Sequence, residues 1–487
     1  MCNFQNARAR CWCLPVVAAI CAHAGLTHAA RGEGGADSLR EWSVKLEAEP
    51  HASLVDCRGV TLRHERKVEL GEPWAIDDAL RFTFTVDGRQ LTARWEAADA
   101  EHQQQWEVVD LPAMLQFNRR AQPYALSVRL APDGESVYVA SATGAAVRIN
   151  DSTCHIVDSD LDGRIGSAGD GLVVAGSRTV GPMAEPTEIW LPDRAVRLRR
   201  ADDGGWRMSD VPMPEGAGSD YVRTWRHINH HRQMCGVLPL AHDASLTDGM
   251  AEHIAYMRTN RVRSHRQDPT RPGYSRKGAK AGGTSLIGFL KPSYRAAVDS
   301  QLTTLFHRGS MLSPDLTASA MLLDEGTFMF SSHRRLGGPL KREPLVYPAH
   351  GMTVQSDFNI AGEQPPPFKG RIIRNKRGTA ISVRMTILYR VRKLPEPPEF
   401  EVHAVWPNGR RTQVRGELYY PGHVPGEETP NNFSANVAFI PYRFLKPGVR
   451  YKVRVKFRYP AAAPAGGYRW ETFEHDWWFI AGASSRR

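Results

Sequence analysis

The stretch from Ser219 to Pro367 constrains this chain most, because it is where regular β alternation stops. It opens as a helix over Ser219–Arg232, with Ser219 or Asp220 as its cap. A Gly236-Val237-Leu238-Pro239-Leu240 turn follows, and then a second helix from Ser245. Next come Ser264-His265 with Asp268-Pro269, Pro272-Gly273-Tyr274, the small-residue run Ala281-Gly282-Gly283-Thr284-Ser285, and Phe306-His307-Arg308. Polar positions at this density, without a period, are spaced for sites and turns rather than for one solvated face. The flanks on both sides read as β-sheet scaffolding.

With 487 residues the chain has room for about three domains. Hydrophobic residues at 41% and charged residues at 24% are ordinary globular material. Net charge is +11, but the 63 Lys and Arg are scattered rather than striped. That distribution points away from nucleic acid and towards a solvated basic surface with a weak pull to anionic envelopes. Arg8 and Arg10, the apolar run Cys11–Ala22 and the small-x-small sites at Ala22-His23-Ala24 and Thr27-His28-Ala29 have the form of an export signal over 1–29. No later stretch is long and apolar enough to span a membrane, so a soluble secreted or periplasmic protein is expected. Four of the seven cysteines lie in that leader. Cys57 and Cys154 could form a bridge, and Cys235 reads as a small buried hydrophobe.

Residues 35–211 read as a β-rich domain. Phe82, Phe84 and Val86 alternate into an Asp87-Gly88 turn, and Leu91, Ala93 and Trp95 alternate back, which is a hairpin. Pro132-Asp133-Gly134 marks a second turn. The run Asp158-Ser159-Asp160-Leu161-Asp162-Gly163 is the front half of a calcium loop. Alternate carboxylates of a tight loop can point inward at a hard cation, which takes oxygens at about 2.4 Å. The twelfth position is Gly169, and Asp170 is the nearest acid. The two readings are a structural calcium held by Asp158, Asp160, Asp162 and Asp170, or a solvated Asp turn with no ion. No organic cofactor is indicated.

In the first helix, His227, His230 and His231 have zinc-like spacing. They lie off the Val222/Trp225/Ile228 stripe beside Arg226 and Arg232, and so read as an exposed basic face. His253, beside the Leu246/Met250/Ile254/Met257 stripe, reads as a packed histidine.

The ordered set of motifs resembles the CAP superfamily of cysteine-rich secretory, antigen 5 and pathogenesis-related proteins, in its cysteine-poor bacterial branch. The set is Asn229-x-x-Arg232, Gly236–Leu240, His253 with Tyr256-Met257, Ser264-His265, Pro272-Gly273-Tyr274, Ala281-Gly282 with Ser285, Ala297-Val298, Phe306-His307-Arg308 and Leu312-x-Pro314. Val346-Tyr347-Pro348 and Gly351 look like the tail of such a domain, which gives expected limits of 219–361. The resemblance implies an α-β-α sandwich with a cleft that, in eukaryotic members, holds two His and two Glu able to bind a divalent metal. His265 matches the first histidine. The glutamate positions fall near Gly283 and Thr304, and 326–330 offers no counterpart of the last histidine. One of four ligands survives, which is too few for a zinc site. His307 belongs to a bacterial His-Arg motif. Within this cleft His265 with Asp268 is a base with an orienting acid, and Ser285 is a candidate nucleophile. The bland readings are a loop histidine on the Asp268-Pro269 turn, a helix-terminal His307, and a Ser285 that permits close backbone packing.

After the Gly362–Pro367 linker, 368–483 reads as a β-sandwich of immunoglobulin or fibronectin type. Its clearest strand alternates Tyr451, Val453, Val455, Phe457 and Tyr459 with Lys and Arg. The expected class is therefore multidomain α+β: a central α-β-α sandwich between a β-rich N-terminal domain and a C-terminal Ig-like sandwich. The leading function is a non-catalytic binding protein whose cleft takes a small apolar or peptide ligand, or whose surface docks a cell-envelope partner. Sterol or lipid binding is implied only by the resemblance. The alternatives are a hydrolase acting from His265 and His307, and a calcium-stiffened adhesion protein.

Overall fold

The structure, a computed structural model, describes residues 41–483 apart from 333–343, 358–376, 425–434 and several shorter internal stretches. The expected leader, Cys57, the Pro132-Asp133 turn and the 362–367 linker lie outside the described residues. Cys154 is a buried free thiol.

Among its described residues the N-terminal region is β-rich, with one short 3-10 turn at Ala52–Leu54. Four antiparallel strands, 73–77, 80–87, 90–97 and 100–107, form one sheet. Its hairpin closes with Asp87 opposite Gln90, leaving Gly88-Arg89 as a two-residue loop. The alternating residues Phe82, Phe84, Leu91, Ala93 and Trp95 are buried together against Leu115, Phe117 and Leu126 of the neighbouring sheet. A strand at 41–44 pairs with 206–210, so the two ends of the region sit side by side.

The central region has five helices: α1 (Ser219–Met234), α2 (Thr247–Thr259), α3 (Arg276–Gly283), α4 (Tyr294–Leu302) and α5 (Phe306–Met311). They surround an antiparallel sheet of 285–288, 327–331 and 321–324. Period-two alternation sorts its side chains. Leu286, Phe328 and Phe330 pack with Trp225 and Ile228 of α1 and Val298 of α4. Ile287 and Met329 pack with Met250, Ile254 and Met257 of α2.

Gly218, not Ser219 or Asp220, occupies the position before α1. The Asp220 carboxylate accepts the N–H of Tyr294 instead, tying α1 to the start of α4. The expected exposed basic face on α1 is also corrected, because neighbours cover it. His230 Nδ1 lies 2.9 Å from the Trp190 carbonyl, and Trp190 N–H donates to Gln233 at 2.7 Å. These bonds occupy an edge strand, 187–190, that has open backbone groups to satisfy. His227 Nε2 lies 2.9 Å from Asp299 of α4, and His231 stacks edge-on against His227 at 4.3 Å. A cavity of about 200 Å³, lined in part by His227, His231, Asp299 and Tyr347, separates these helices from the C-terminal strands.

Two residues of the α1 motif are wholly buried and serve the backbone. Asn229 makes a two-way bond with Leu240, accepting its N–H at 2.7 Å and donating to its carbonyl at 3.2 Å. Arg232 is fully enclosed and donates to four carbonyls: Leu238 at 2.9 Å, Met311 at 2.7 Å, Ser313 at 3.2 Å and Leu316 at 2.8 Å. Its planar five-donor fork suits carbonyls converging from two separate turns.

The C-terminal region is two sheets. One has the order 345–347, 381–384, 436–441, 416–419; the other runs 353–354, 468–481, 450–462, 399–405, 411–413. Tyr451, Val453, Val455 and Phe457 point into the shared core. One expectation changes here. The stretch 345–354, read as the tail of the central domain, pairs with these sheets: Leu345–Tyr347 against Ser382–Arg384, and Thr353-Val354 beside Ile480-Ala481. The core also ignores the expected boundaries. Trp190, the inner face of the central sheet and both C-terminal sheets belong to one contiguous cluster.

Replacing Arg232 by Met should strand four buried carbonyls and lower the unfolding free energy by about 4 kcal/mol in a denaturant titration. Arg232→Lys should recover less than half of that, because an ammonium lacks the planar fork.

Candidate functional site

The site is built where α2, α3 and α5 meet the loop after α2. His253 of α2 is fully buried. Its Nε2–H donates to the Ser264 carbonyl at 2.8 Å, and Nδ1 accepts from Gln267 Nε2 at 3.1 Å. Gln267 Oε1 in turn accepts the N–H of Ser275, the N-cap of α3, whose hydroxyl donates to Glu252 at 2.5 Å. Tyr256 Oη accepts the N–H of Asp268 at 2.8 Å. These bonds fix the 264–275 loop from below.

That loop presents His265 to α3. Its Nδ1–H donates to the Gly282 carbonyl at 3.0 Å. Gly282 is required because a Cβ there would lie 2.2 Å from the His253 ring. The same glycine thus packs on one histidine and orients the next.

His307 stands on α5, half-buried, with Nδ1 3.3 Å from Thr304 Oγ1. The Thr304 hydroxyl already donates to the Gln301 carbonyl at 2.6 Å, so it accepts from His307. Burial first, and the nearby His265 second, push the His307 pKa down from 6.5 to about 4. His265 acts on His253 in the same sense, after burial and the Ser264 carbonyl bond, and the net His253 pKa is lowered. The three imidazoles therefore form one electrostatic group. Both His265 and His307 have Nδ1 tied to neutral protein oxygen, which leaves each Nε2 as a lone-pair acceptor.

The sequence candidates divide. His265 and His307 are brought together. Asp268 is not their acid. Its carboxylate accepts from the N–H of Thr270 at 3.0 Å and from the Thr270 hydroxyl at 2.7 Å, and Arg271 is 3.7 Å away. Those Thr270 bonds hold its pKa below the usual range. An aspartate two residues before an N–H closes a local turn more readily than it reaches across a loop. Ser285 lies buried at the start of the central sheet, opposite Ser331, and its hydroxyl has no hydrogen-bond partner. The Gly282 carbonyl, which orients His265, carries no side-chain signal by which the sequence could reveal it.

Asp158, Asp160 and Asp162 converge, with ligand oxygens within 4.8 Å of one another. Asp170 is buried beside them. The loop that carries them joins strands 152–157 and 171–173.

A search of curated proteins returns no match. A solved cysteine-rich secretory protein from Staphylococcus aureus is similar at 9% identity with a TM-score of 0.17, over 54% of this chain and 87% of that one. Residues 225–322 match the CAP family, described as the cysteine-rich secretory protein family, and this span holds the α1 motif, the three histidines and α5. The match to the CAP family thus falls within the central region of the chain.

Proposed function

We propose that the chain is an exported, non-catalytic binding protein. Its CAP domain takes an uncharged small or peptide ligand at His265 and His307. The observation that carries this reading is the pair of Nδ1 contacts. A general base gains from a carboxylate behind it, which stabilises the imidazolium. Behind His265 is the Gly282 carbonyl, and behind His307 is the Thr304 hydroxyl. Neutral imidazoles with outward lone pairs suit an amide N–H or a hydroxyl of a ligand. Ser285 has no base on its hydroxyl, which weighs against a nucleophile. The central helices and sheet are read as an α-β-α sandwich, and the C-terminal sheets as an Ig-like sandwich that presents the domain at the cell envelope. Export rests on the leader-like sequence. Among the described residues no helix is long and apolar enough to cross a membrane.

Fluorescence anisotropy with a panel of labelled, uncharged short peptides should give saturable binding. His265→Ala should weaken it about tenfold, the worth of one hydrogen bond. Turnover of a chromogenic ester or peptide that disappears in His265→Ala would establish the hydrolase instead.

The His307 pKa makes a second expectation. The folded value, about 4, is depressed below the ordinary 6.5. Its stabilising contribution is thus complete above pH 6.5 and is lost as pH falls towards 4, because the unfolded chain takes up the proton first. Between those limits the wild type should lose about 2 kcal/mol more than His307→Gln in denaturant titrations. His155, which burial also holds at about 4, keeps the variant's own slope above zero.

A further inference from the structure

We infer that the Asp158–Asp170 loop binds a calcium ion that locks the N-terminal β region. Three carboxylates, those of Asp158, Asp160 and Asp162, already lie within 4.8 Å of one another by their ligand oxygens. Asp158 is completely buried.

A separate observation comes from Asp170, which is 3% exposed. Its Oδ2 accepts from the N–H groups of Gly166 at 2.6 Å and Ser167 at 3.0 Å, while Oδ1 is buried with no partner. The same carboxylate lies within electrostatic range of Asp158 and Asp160. Ser167 links the two sides, because its hydroxyl reaches Asp160 Oδ2 at 3.3 Å. The Asp160 carboxylate also fills the space where a Cβ of residue 169 would stand, 1.8 Å from Oδ2. Ser167 thereby joins Asp170, by its N–H, to Asp160, by its hydroxyl, and Asp160 is one of the three carboxylates that converge with Asp158 and Asp162.

Among the described residues, Arg119 answers this charge only in part. Arg119 approaches Asp158 only to 4.0 Å and gives its N–H groups to the Leu161 carbonyl at 2.6 Å and to Asp77 at 3.1 Å. Two buried carboxylates, Asp158 and Asp170, within electrostatic range of one another and with an orphaned oxygen on Asp170, are unfavourable without a counter-charge. The donors in the loop are oxygens only, which selects a hard cation over zinc. An irregular loop with many carboxylate oxygens suits calcium, whereas magnesium holds to a tight octahedron and keeps its waters.

The ion's position explains its effect. Leu161 at the loop tip enters the core of the neighbouring sheets, with a left-handed backbone (φ 64°). Tyr124 of the strand 122–130 donates its hydroxyl to Asp158 at 2.6 Å. A cation that draws the four aspartates together fixes Leu161 in that core, and so fixes the strands 152–157 and 171–173 that flank the loop against the neighbouring sheet.

The test uses the full chain, stripped with EDTA and dialysed. Calorimetric titration with CaCl2 should show one saturable event, and saturating CaCl2 should raise the first melting transition by about 5 °C. MgCl2 at the same concentration should shift it far less. Asp170→Asn should weaken calcium binding at least tenfold. If that buried variant does not fold, Asp162→Asn, at a more accessible position, should show the same loss. An absence of heat and of any melting shift with millimolar CaCl2 overturns the proposal. So does calcium binding left unchanged in Asp162→Asn.

Discussion

A guanidinium buried with no carboxylate partner among the described residues organises this protein. Arg232 satisfies carbonyls at 238, 311, 313 and 316, so one side chain closes the turn after α1 and the turn after α5 together. Removing a full charge from water costs several kcal/mol, and only a complete set of acceptors offsets it. That requirement propagates. The 236–240 turn must hold its shape, which Asn229 secures through Leu240. The segment after α5 must return to α1, which brings Leu312 and Leu316 into the core with Trp225 and Ile228. Arg308 repeats the device across the next boundary. It donates to the Ala380 carbonyl and the Ser382 hydroxyl, each at 3.0 Å, and lies over the Tyr347 ring at 4.1 Å.

The histidine group depends on that frame. His265 is set by a backbone carbonyl and His307 by a threonine hydroxyl, so their orientation comes from α3 and from the turn before α5 rather than from acidic side chains. An imidazole held this way keeps a fixed direction, which favours recognition. It gains little help in accepting a proton, which disfavours turnover. The chemistry available at the site is thus selected by which atom stands behind each ring.

Several of these features can be read from the sequence, and the failures have physical causes. The Phe82–Trp95 hairpin is legible because period-two alternation and turn chemistry are local. The CAP motifs are legible as an ordered set, but the role of Arg232 is not. Three of its four acceptors lie 79 to 84 positions away, and all four are backbone atoms, which carry no residue signature. The His227/His230/His231 face misleads because helical periodicity shows only the stripe facing the helix's own domain. Here strand 187–190 covers one remaining side and α4 another. Asp268 misleads because proximity in sequence to His265 suggests a pair, while the local turn with Thr270 wins the carboxylate. The 345–354 stretch misleads because family likeness ends by motif, whereas strand pairing assigns it to the C-terminal sheets.

His307 and Arg308 are neighbours on a helix of six residues, one facing the histidine group and the other fastened to the C-terminal sheet. The region 219–332 is therefore not a detachable cassette. Excised, it would carry an Arg308 parted from the Ala380 carbonyl and the Ser382 hydroxyl, and an apolar flank from Trp225 to Phe330 laid open to solvent. The flanking sheets act as the missing wall of the central body rather than as passengers strung beside it.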